Sequence, residues 1–240
     1  MNLNDCYNFN DFRKLAKKKL PAPIFHYIDG GADDEVTLNR NTNAFNDCDL
    51  VPNILASVGE PDLSTTIFGK KIDMPLFLSP CAMQSLYTPE GDKASARAAE
   101  KLCSQWGGHF ALKGIMSVDD AKRAVDIGCT GIMVSNHGGR QLDGSRSPFD
   151  QLSEIVDAVG DKLDVICEGG IHRGTHMLKA LSLGAKACSG GRLYLYALAA
   201  GGQAGVERAI EKYKSELVRD MKLMGCTKIS DLNRNNLRFR

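Results

Sequence analysis

Leu163-Asp-Val-Ile-Cys-Glu168-Gly169-Gly170-Ile171-His172-Arg173-Gly174 and, shortly after it, Ala185-Lys-Ala-Cys-Ser189-Gly190-Gly191-Arg192 decide how this chain folds. Each is a short strand-like run that ends in a glycine-rich turn and opens a helix. Exposed backbone N–H groups in such a turn, backed by a helix N-terminus, make an anion site. A β/α barrel carries its phosphate-binding turns after its last two strands. A doubly wound dinucleotide fold instead carries GxGxxG after its first strand, and that pattern is missing here. The two turns favour the barrel.

Working upstream, three more strands are predicted, at Pro75-Leu-Phe-Leu-Ser79, His109–Leu112 and Gly131–Ser135. Continuous apolar runs of this length suit strands buried on both faces. From residue 109 onward the strand starts are 22, 32 and 22 residues apart, the length of parallel β/α units. Thr88-Pro89-Glu90 is an N-cap, N1 proline and first-turn acid for a helix reaching about Leu102. Ser117, Ser147-Pro148 and Arg173-Gly-Thr175 start further helices, and Gly128, Gly160 and Gly184 end them. A long helix is predicted from Gly202 to Met224. Five strands fall short of eight, and three absent units at roughly 30 residues each would add about 90 residues.

The first part of the chain reads differently. Phe12, Leu15, Ala16 and Leu20 share a helical face beside Arg13, Lys14, Lys17, Lys18 and Lys19, and Pro21 ends the run. That basic face reads as solvated, with contact to acidic lipid as the alternative. Gly30-Gly31 precedes a second amphipathic stretch carrying Val36, Leu38 and Phe45, and residues 64–73 read as a hairpin about Gly69-Lys70. The expected organisation is one domain over 1–240: N-terminal helices and hairpin in 1–73, and a shortened TIM-type (β/α)8 barrel in 74–240.

Composition narrows the function. Thirty basic and twenty-nine acidic side chains leave a formal charge of +1, which offers no electrostatic case for nucleic acid. No apolar run approaches the roughly 18 residues of a membrane span. The polar start is no signal peptide. The eight cysteines include no CxxC pair, and His26, His109 and His176 have no metal-ligand spacing, so no metal is expected. Reduced thiols in strand-like runs point to a reducing compartment, predicted as the cytoplasm, with the inner membrane's surface as a peripheral alternative.

The chemistry-bearing stretch is Ser135-Asn136-His137-Gly138-Gly139-Arg140-Gln141-Leu142-Asp143, directly after a buried strand. Catalytic groups project from such strand ends in a barrel. His137 has the pKa of a general base near neutrality, and Arg140 offers a planar fork for a carboxylate. Lys113 ends Phe110-Ala-Leu-Lys113-Gly114. It reads equally as a cation facing an electron-accepting ring or as a snorkelling strand-end lysine. Arg192 is a phosphate candidate, whereas Tyr27 by composition alone is an aromatic core residue. Met83, Met116 and Met133 read as core fillers.

Together, Ser135–Asp143 and Ala111-Leu-Lys113-Gly114 resemble the FMN-dependent α-hydroxy acid dehydrogenases and oxidases, the family of L-lactate dehydrogenase, glycolate oxidase and flavocytochrome b2. The resemblance covers essentially the whole chain. It implies a (β/α)8 barrel with FMN at its C-terminal mouth and oxidation of an L-2-hydroxy acid, L-lactate first among them, to the 2-oxo acid. By this resemblance His137 is the base, while Arg140 and Tyr27 hold the substrate carboxylate. Lys113 lies beside the flavin N1–C2 carbonyl, and Ser135, Pro80, Cys81 and Ala82 contact the ring. Glu168, Gly169, Gly170, Ile171 and His172, with Gly191 and Arg192, take the ribityl and phosphate positions. The resemblance further implies a homo-oligomer and an electron acceptor that is a quinone, a cytochrome or oxygen.

The chain also departs from that pattern. Between Ala99-Glu100 and Trp106-Gly-Gly-His109 the family has its second, third and fourth barrel strands. With them go a second substrate arginine, an active-site tyrosine and the aspartate that orients the base. Glu168 replaces the usual aspartate, His172 an arginine and Cys81 a threonine, and a second glycine, Gly190, precedes Gly191. The alternatives to catalysis are therefore a non-catalytic module binding FMN or another phosphorylated ligand, or an inactive fragment.

Overall fold

The computed structural model describes residues 2–53, 56, 58–81, 109, 111–126 and 128–240. The helix predicted from Thr88 to Leu102, together with Ala82, Met83, Cys103 and Trp106, lies outside them.

Five parallel strands carry the architecture: β4 (Leu76–Leu78), β5 (Ala111–Ile115), β6 (Gly131–Val134), β7 (Asp164–Glu168) and β8 (Ala187–Gly190). Their order is β4-β8-β7-β6-β5. The first strand of the series thus lies against the last, as a barrel requires, whereas a doubly wound sheet keeps its first strand inside. Leu76 pairs with Cys188, Ile166 with Ala187, Met133 with Ile166 and Leu112 with Ile132.

Alternation along each strand sorts the side chains. Leu76, Leu78, Leu112, Ile132, Val134, Val165, Cys167 and Cys188 join the large core shared with the helices. Phe77, Ala111, Met133, Ile166 and Ala187 instead form a second, smaller cluster with Ile67 and Phe68. Those two residues belong to a hairpin, β2 (Thr65–Ile67) and β3 (Lys70–Ile72), which closes the floor. Its turn, Phe68-Gly69, has φ of +50° and +70°, the pattern of a two-residue type I′ connection. The Phe68 ring sits so close under β6 that a Cβ on Gly131 would lie 2.2 Å from its Cε1. Two residues beyond each floor residue comes a different set: Ser79, Lys113, Ser135, Glu168 and Ser189. An apolar floor is therefore followed by a polar layer at the carboxyl ends of all five strands.

Helices α4 (Val118–Asp126), α5 (Pro148–Val159) and α6 (Gly174–Ser182) connect the strands. The predicted starts are present: the Ser117 hydroxyl accepts from the Asp120 N–H at 3.1 Å, and the Ser147 hydroxyl from that of Asp150 at 3.0 Å. Helix α7 (Arg192–Met224) begins ten residues earlier than predicted. It is broken at Gly201 and Gly202, so only its second half matches the expected helix. The missed half, Leu193–Ala200, is buried on every side and shows no amphipathic period.

At the N-terminus lie α1 (Phe9–Lys19), α2 (Ala22–Asp29) and α3 (Val36–Asn43). Helix α1 buries Phe12, Leu15 and Ala16 of the expected face and Phe9 with them, while Leu20 follows the helix as its C-cap and is only partly buried. Arg13 forks onto Asp29 at 2.6 and 2.7 Å, and the Tyr196 hydroxyl donates to the same carboxylate at 2.7 Å, tying α1 and α2 to α7. The short strands β1 (Cys48–Leu50) and β9 (Leu237–Phe239) pair antiparallel and fasten the end of the chain to this segment.

Candidate active site

A cavity of about 510 Å³ opens at the carboxyl ends of the strands. Its lining includes Tyr27, Pro80, Cys81, Lys113, His137, Arg140, Glu168, Gly169, Gly170, Ile171, His172, Gly191 and Arg192. Residues from α2, all five strand ends and the start of α7 thus meet in one place. Ser135 lies beneath the lining and is buried. Ala82 lies outside the described residues.

Glu168 is the centre of the polar layer. Its Oε2 is 3.1 Å from Lys113 Nζ and accepts a hydrogen bond from the Ser135 hydroxyl, while its Oε1 accepts from Ser79 at 3.2 Å. Ser79 and Ser189 share a hydrogen bond of 2.6 Å, and Lys113 Nζ donates to Ser135 at 3.2 Å. The Tyr194 hydroxyl donates to the Ser79 carbonyl at 3.0 Å. One carboxylate therefore links β4, β5, β6 and β7 directly, and β8 through a serine.

His137 follows β6 in the left-handed region, at φ +57°. A non-glycine residue held there stores about 1–3 kcal/mol of strain and re-aims its side chain out of the strand direction. The Ser135 hydroxyl accepts from the His137 N–H at 3.2 Å and helps hold the turn. Partial burial, then the charge of Lys113, lowers the imidazole pKa below its ordinary value; Glu168 works in the opposite direction, and Arg140 and Arg192 add to the lowering. The ring is thus neutral at pH 7, with a nitrogen able to accept a proton.

Two arginines brace the mouth. Arg140 Nη1 donates to the carbonyls of Tyr27 and Gly30, the latter at 3.1 Å, and its guanidinium lies 4.8 Å over the Tyr27 ring. Arg192 donates to Ile28 O at 2.7 Å, Gly30 O at 2.6 Å and Gly138 O at 2.8 Å. These bonds satisfy carbonyls at the end of α2, a site where cations are stabilised. They also fix the Tyr27 segment against the His137 turn.

His172 stacks on Phe9 with ring centroids 3.5 Å apart, and His176 stacks on Phe45 at 4.4 Å. Burial, reinforced by the neighbouring His176, pushes His172 down to about 3. Burial pushes His176 down to about 4, against the Gly170 carbonyl contact at 2.9 Å. Neither ring supplies positive charge at pH 7. The unfolded chain takes up protons near the ordinary histidine value of about 6.5 while the folded chain does not, so stability is full above that pH and falls as pH drops toward 4. Between pH 7 and pH 5 the loss is roughly 2 kcal/mol for each histidine. Urea midpoints at the two pH values measure it, and replacing both rings by glutamine should flatten that slope.

Ser79, Ser189 and Tyr194 help build the polar layer although no sequence motif marks them. Their signal is a hydroxyl two residues past an inward apolar position at the end of a strand, which becomes visible once the alternation is assigned.

The comparisons with known proteins bear on this geometry. The model of the FMN-dependent dehydrogenases matches residues 16–103 and 100–239. The chain belongs to that FMN-dependent dehydrogenase family. Among its relatives, a peroxisomal (S)-2-hydroxyacid oxidase of Arabidopsis thaliana is 28% identical over 353 aligned positions, covering 98% of this chain and 97% of that protein. An L-lactate oxidase of a Nostoc species is 29% identical over 351 positions, covering 94% and 96%. A 240-residue chain aligned over 353 positions leaves more than a hundred positions of the relative without a counterpart. Among solved structures, a chimera of (S)-mandelate dehydrogenase superposes with a TM-score of 0.93 at 25% identity, covering 98% of this chain and 99% of that one. A flavocytochrome b2 superposes with a TM-score of 0.92 at 29% identity, covering 99% and 88%. These neighbours are TIM-barrel flavoenzymes, in line with the parallel five-stranded α/β sheet described above.

FMN is the cofactor of this FMN-dependent dehydrogenase family. The cavity volume lies within the ~300–1,000 Å³ usual for ligands of that size. A Cβ on Gly191 would stand 3.2 Å from Cys81 Sγ, so the glycine keeps open a cradle between β4 and the start of α7. With Lys113 and the glycine turns at 169–170 and 190–191 all in the cavity wall, the residues present fit a flavin, the cation toward its ring and the turns toward its phosphate.

Proposed function

We propose that this chain oxidises a small L-2-hydroxy acid, L-lactate in the simplest case, to the corresponding 2-oxo acid. One observation carries the reading: His137, held neutral, opens onto the same cavity as Arg140, Tyr27, Lys113 and both glycine turns. FMN, when bound, supplies a two-electron acceptor that takes the substrate's α-hydrogen together with its electron pair. His137 takes the hydroxyl proton as the carbonyl of the product forms. Arg140 and the Tyr27 hydroxyl grip the carboxylate. The two carbonyl bonds of Arg140 both use Nη1, so the rest of its five-donor fork serves the substrate. Lys113 offsets negative charge arriving in the cavity, with Ser135, Pro80, Cys81 and Ala82 along the ring. Backbone N–H groups of Gly169, Gly170, Ile171 and Gly191, beside His172 and Arg192, hold the ribityl chain and phosphate.

The same proposal takes residues 1–240 as one domain whose barrel lacks the family's second, third and fourth strands. The split family match and the unpaired alignment positions support it. Electrons leave to a quinone, a cytochrome or oxygen. No helix among the described residues is long and apolar enough to cross a membrane. A cytoplasmic homo-oligomer, with the inner membrane's surface as a peripheral location, completes the reading.

A second reading, binding of FMN or another phosphorylated ligand without turnover, is favoured by the same unpaired positions: the family's second substrate arginine and base-orienting aspartate would fall among them. Anaerobic titration separates the two. Purified chain with FMN should show flavin absorption that bleaches with L-lactate and not with D-lactate. Glycolate and L-mandelate in parallel define the side-chain preference. Bound flavin that no 2-hydroxy acid bleaches supports the module, and a chain that never binds FMN overturns both.

A further inference from the structure

We infer that Glu168 sets the electron affinity of this cavity by holding the charge of Lys113, which makes it a potential-lowering positioning residue. The inference rests on FMN occupying the cavity. Glu168 is 6% exposed, and its carboxylate is the acidic group in the cavity lining among the described residues. It reaches Lys113, Ser135 and Ser79 together, from strands β5, β6 and β4. The cavity's other cations are held by partners outside the polar layer: Arg192 makes three bonds to backbone carbonyls, and Arg140 makes two through Nη1, stacks on Tyr27 and keeps the rest of its fork for the substrate carboxylate. Lys113 is therefore the cation pointed into the polar layer, and it arrives there already paired.

The consequence follows from charge alone. Two-electron reduction makes a bound flavin more negative, so a cation beside it favours the reduced form and a carboxylate beside it favours the oxidised form. In a site of low dielectric both effects exceed their size in water. A lysine whose charge is largely met by Glu168 stabilises the reduced form less than an unpaired lysine would. Side-chain length matters as well. An aspartate at position 168 would stop one methylene short of Lys113 and Ser135, leaving the ammonium to the ligand. The glutamate thus makes this cavity a weaker oxidant than the same cavity carrying aspartate.

The test compares FMN reduction potentials, measured by dye-equilibration titration, in the wild type, E168Q, E168D and E168Q/K113Q. E168Q removes the charge and keeps the shape. It should increase the preference for reduced over oxidised FMN at least tenfold, equivalent to about +30 mV for a two-electron couple. E168D should shift the potential the same way by less, and it reads the effect even if E168Q folds poorly. Adding K113Q to E168Q should cancel the gain. Bound FMN whose potential is unchanged or lowered in both E168Q and E168D overturns the inference and leaves the proposed function standing. A chain that binds no FMN in any variant overturns both.

Discussion

His137→Ala should lower kcat/KM for the 2-hydroxy acid by about two to four orders of magnitude, the usual contribution of a positioned general base. FMN binding should be unchanged, because none of the flavin contacts proposed above uses the imidazole. The imidazole is exposed at the cavity and outside both apolar clusters, so the variant should melt close to the wild type. His137→Gln keeps most of the volume without the basic nitrogen and should be equally impaired. A base must be unprotonated to act. With its pKa lowered by burial and by Lys113, the acid limb of the kcat/KM profile should have its midpoint below the ordinary histidine value of about 6.5, and the rate should be level through pH 7. A profile whose acid limb is the same in wild type and His137→Gln would assign the base elsewhere.

Gly170→Ala should be the most damaging single-methyl change at the glycine turns, costing roughly 3–5 kcal/mol of stability. The residue has φ +72°, and a Cβ there would stand 1.9 Å from the Asn41 carbonyl oxygen and 2.9 Å from the Thr42 nitrogen. Both obstacles are backbone, so no rotamer change relieves them. The Gly169-Gly170 turn would have to part from α3, loosening the proposed seat of the phosphate as well. Gly144 supplies the control. It shares the left-handed conformation at φ +77°, with nothing within 4 Å of where a Cβ would stand. Gly144→Ala should therefore cost only the conformational part, about 1 kcal/mol. Denaturant unfolding of the two variants separates contact from conformation, and equal losses would refute the close approach.

Much of the barrel could be read along the chain because its signals are local. Ser117 and Ser147 cap the helices they were expected to cap, and the hairpin lies where residues 64–73 put it. His137, Arg140, Lys113 and the glycine turns were nominated because strand-end residues in a parallel β/α fold converge by construction. The floor was harder to see. Phe68 packs beneath Gly131 across more than sixty residues of sequence, and no local pattern encodes that contact. The first half of α7 escaped because a helix buried all round has no polar face to give it a period.

The order of residues thus determined which segments become strands, where their helices begin, and that a glycine-rich turn follows each of the last two strands. Local propensity and the alternation of apolar side chains suffice for that. Folding in three dimensions decided how the charges are spent. Arg140 and Arg192 lie on the carbonyls at the end of α2, His172 is a neutral stacked ring, and Glu168 is bonded to Lys113 and to serines from neighbouring strands. Such partners are chosen by distance and desolvation among groups far apart in sequence, and those quantities exist only once the strands are side by side.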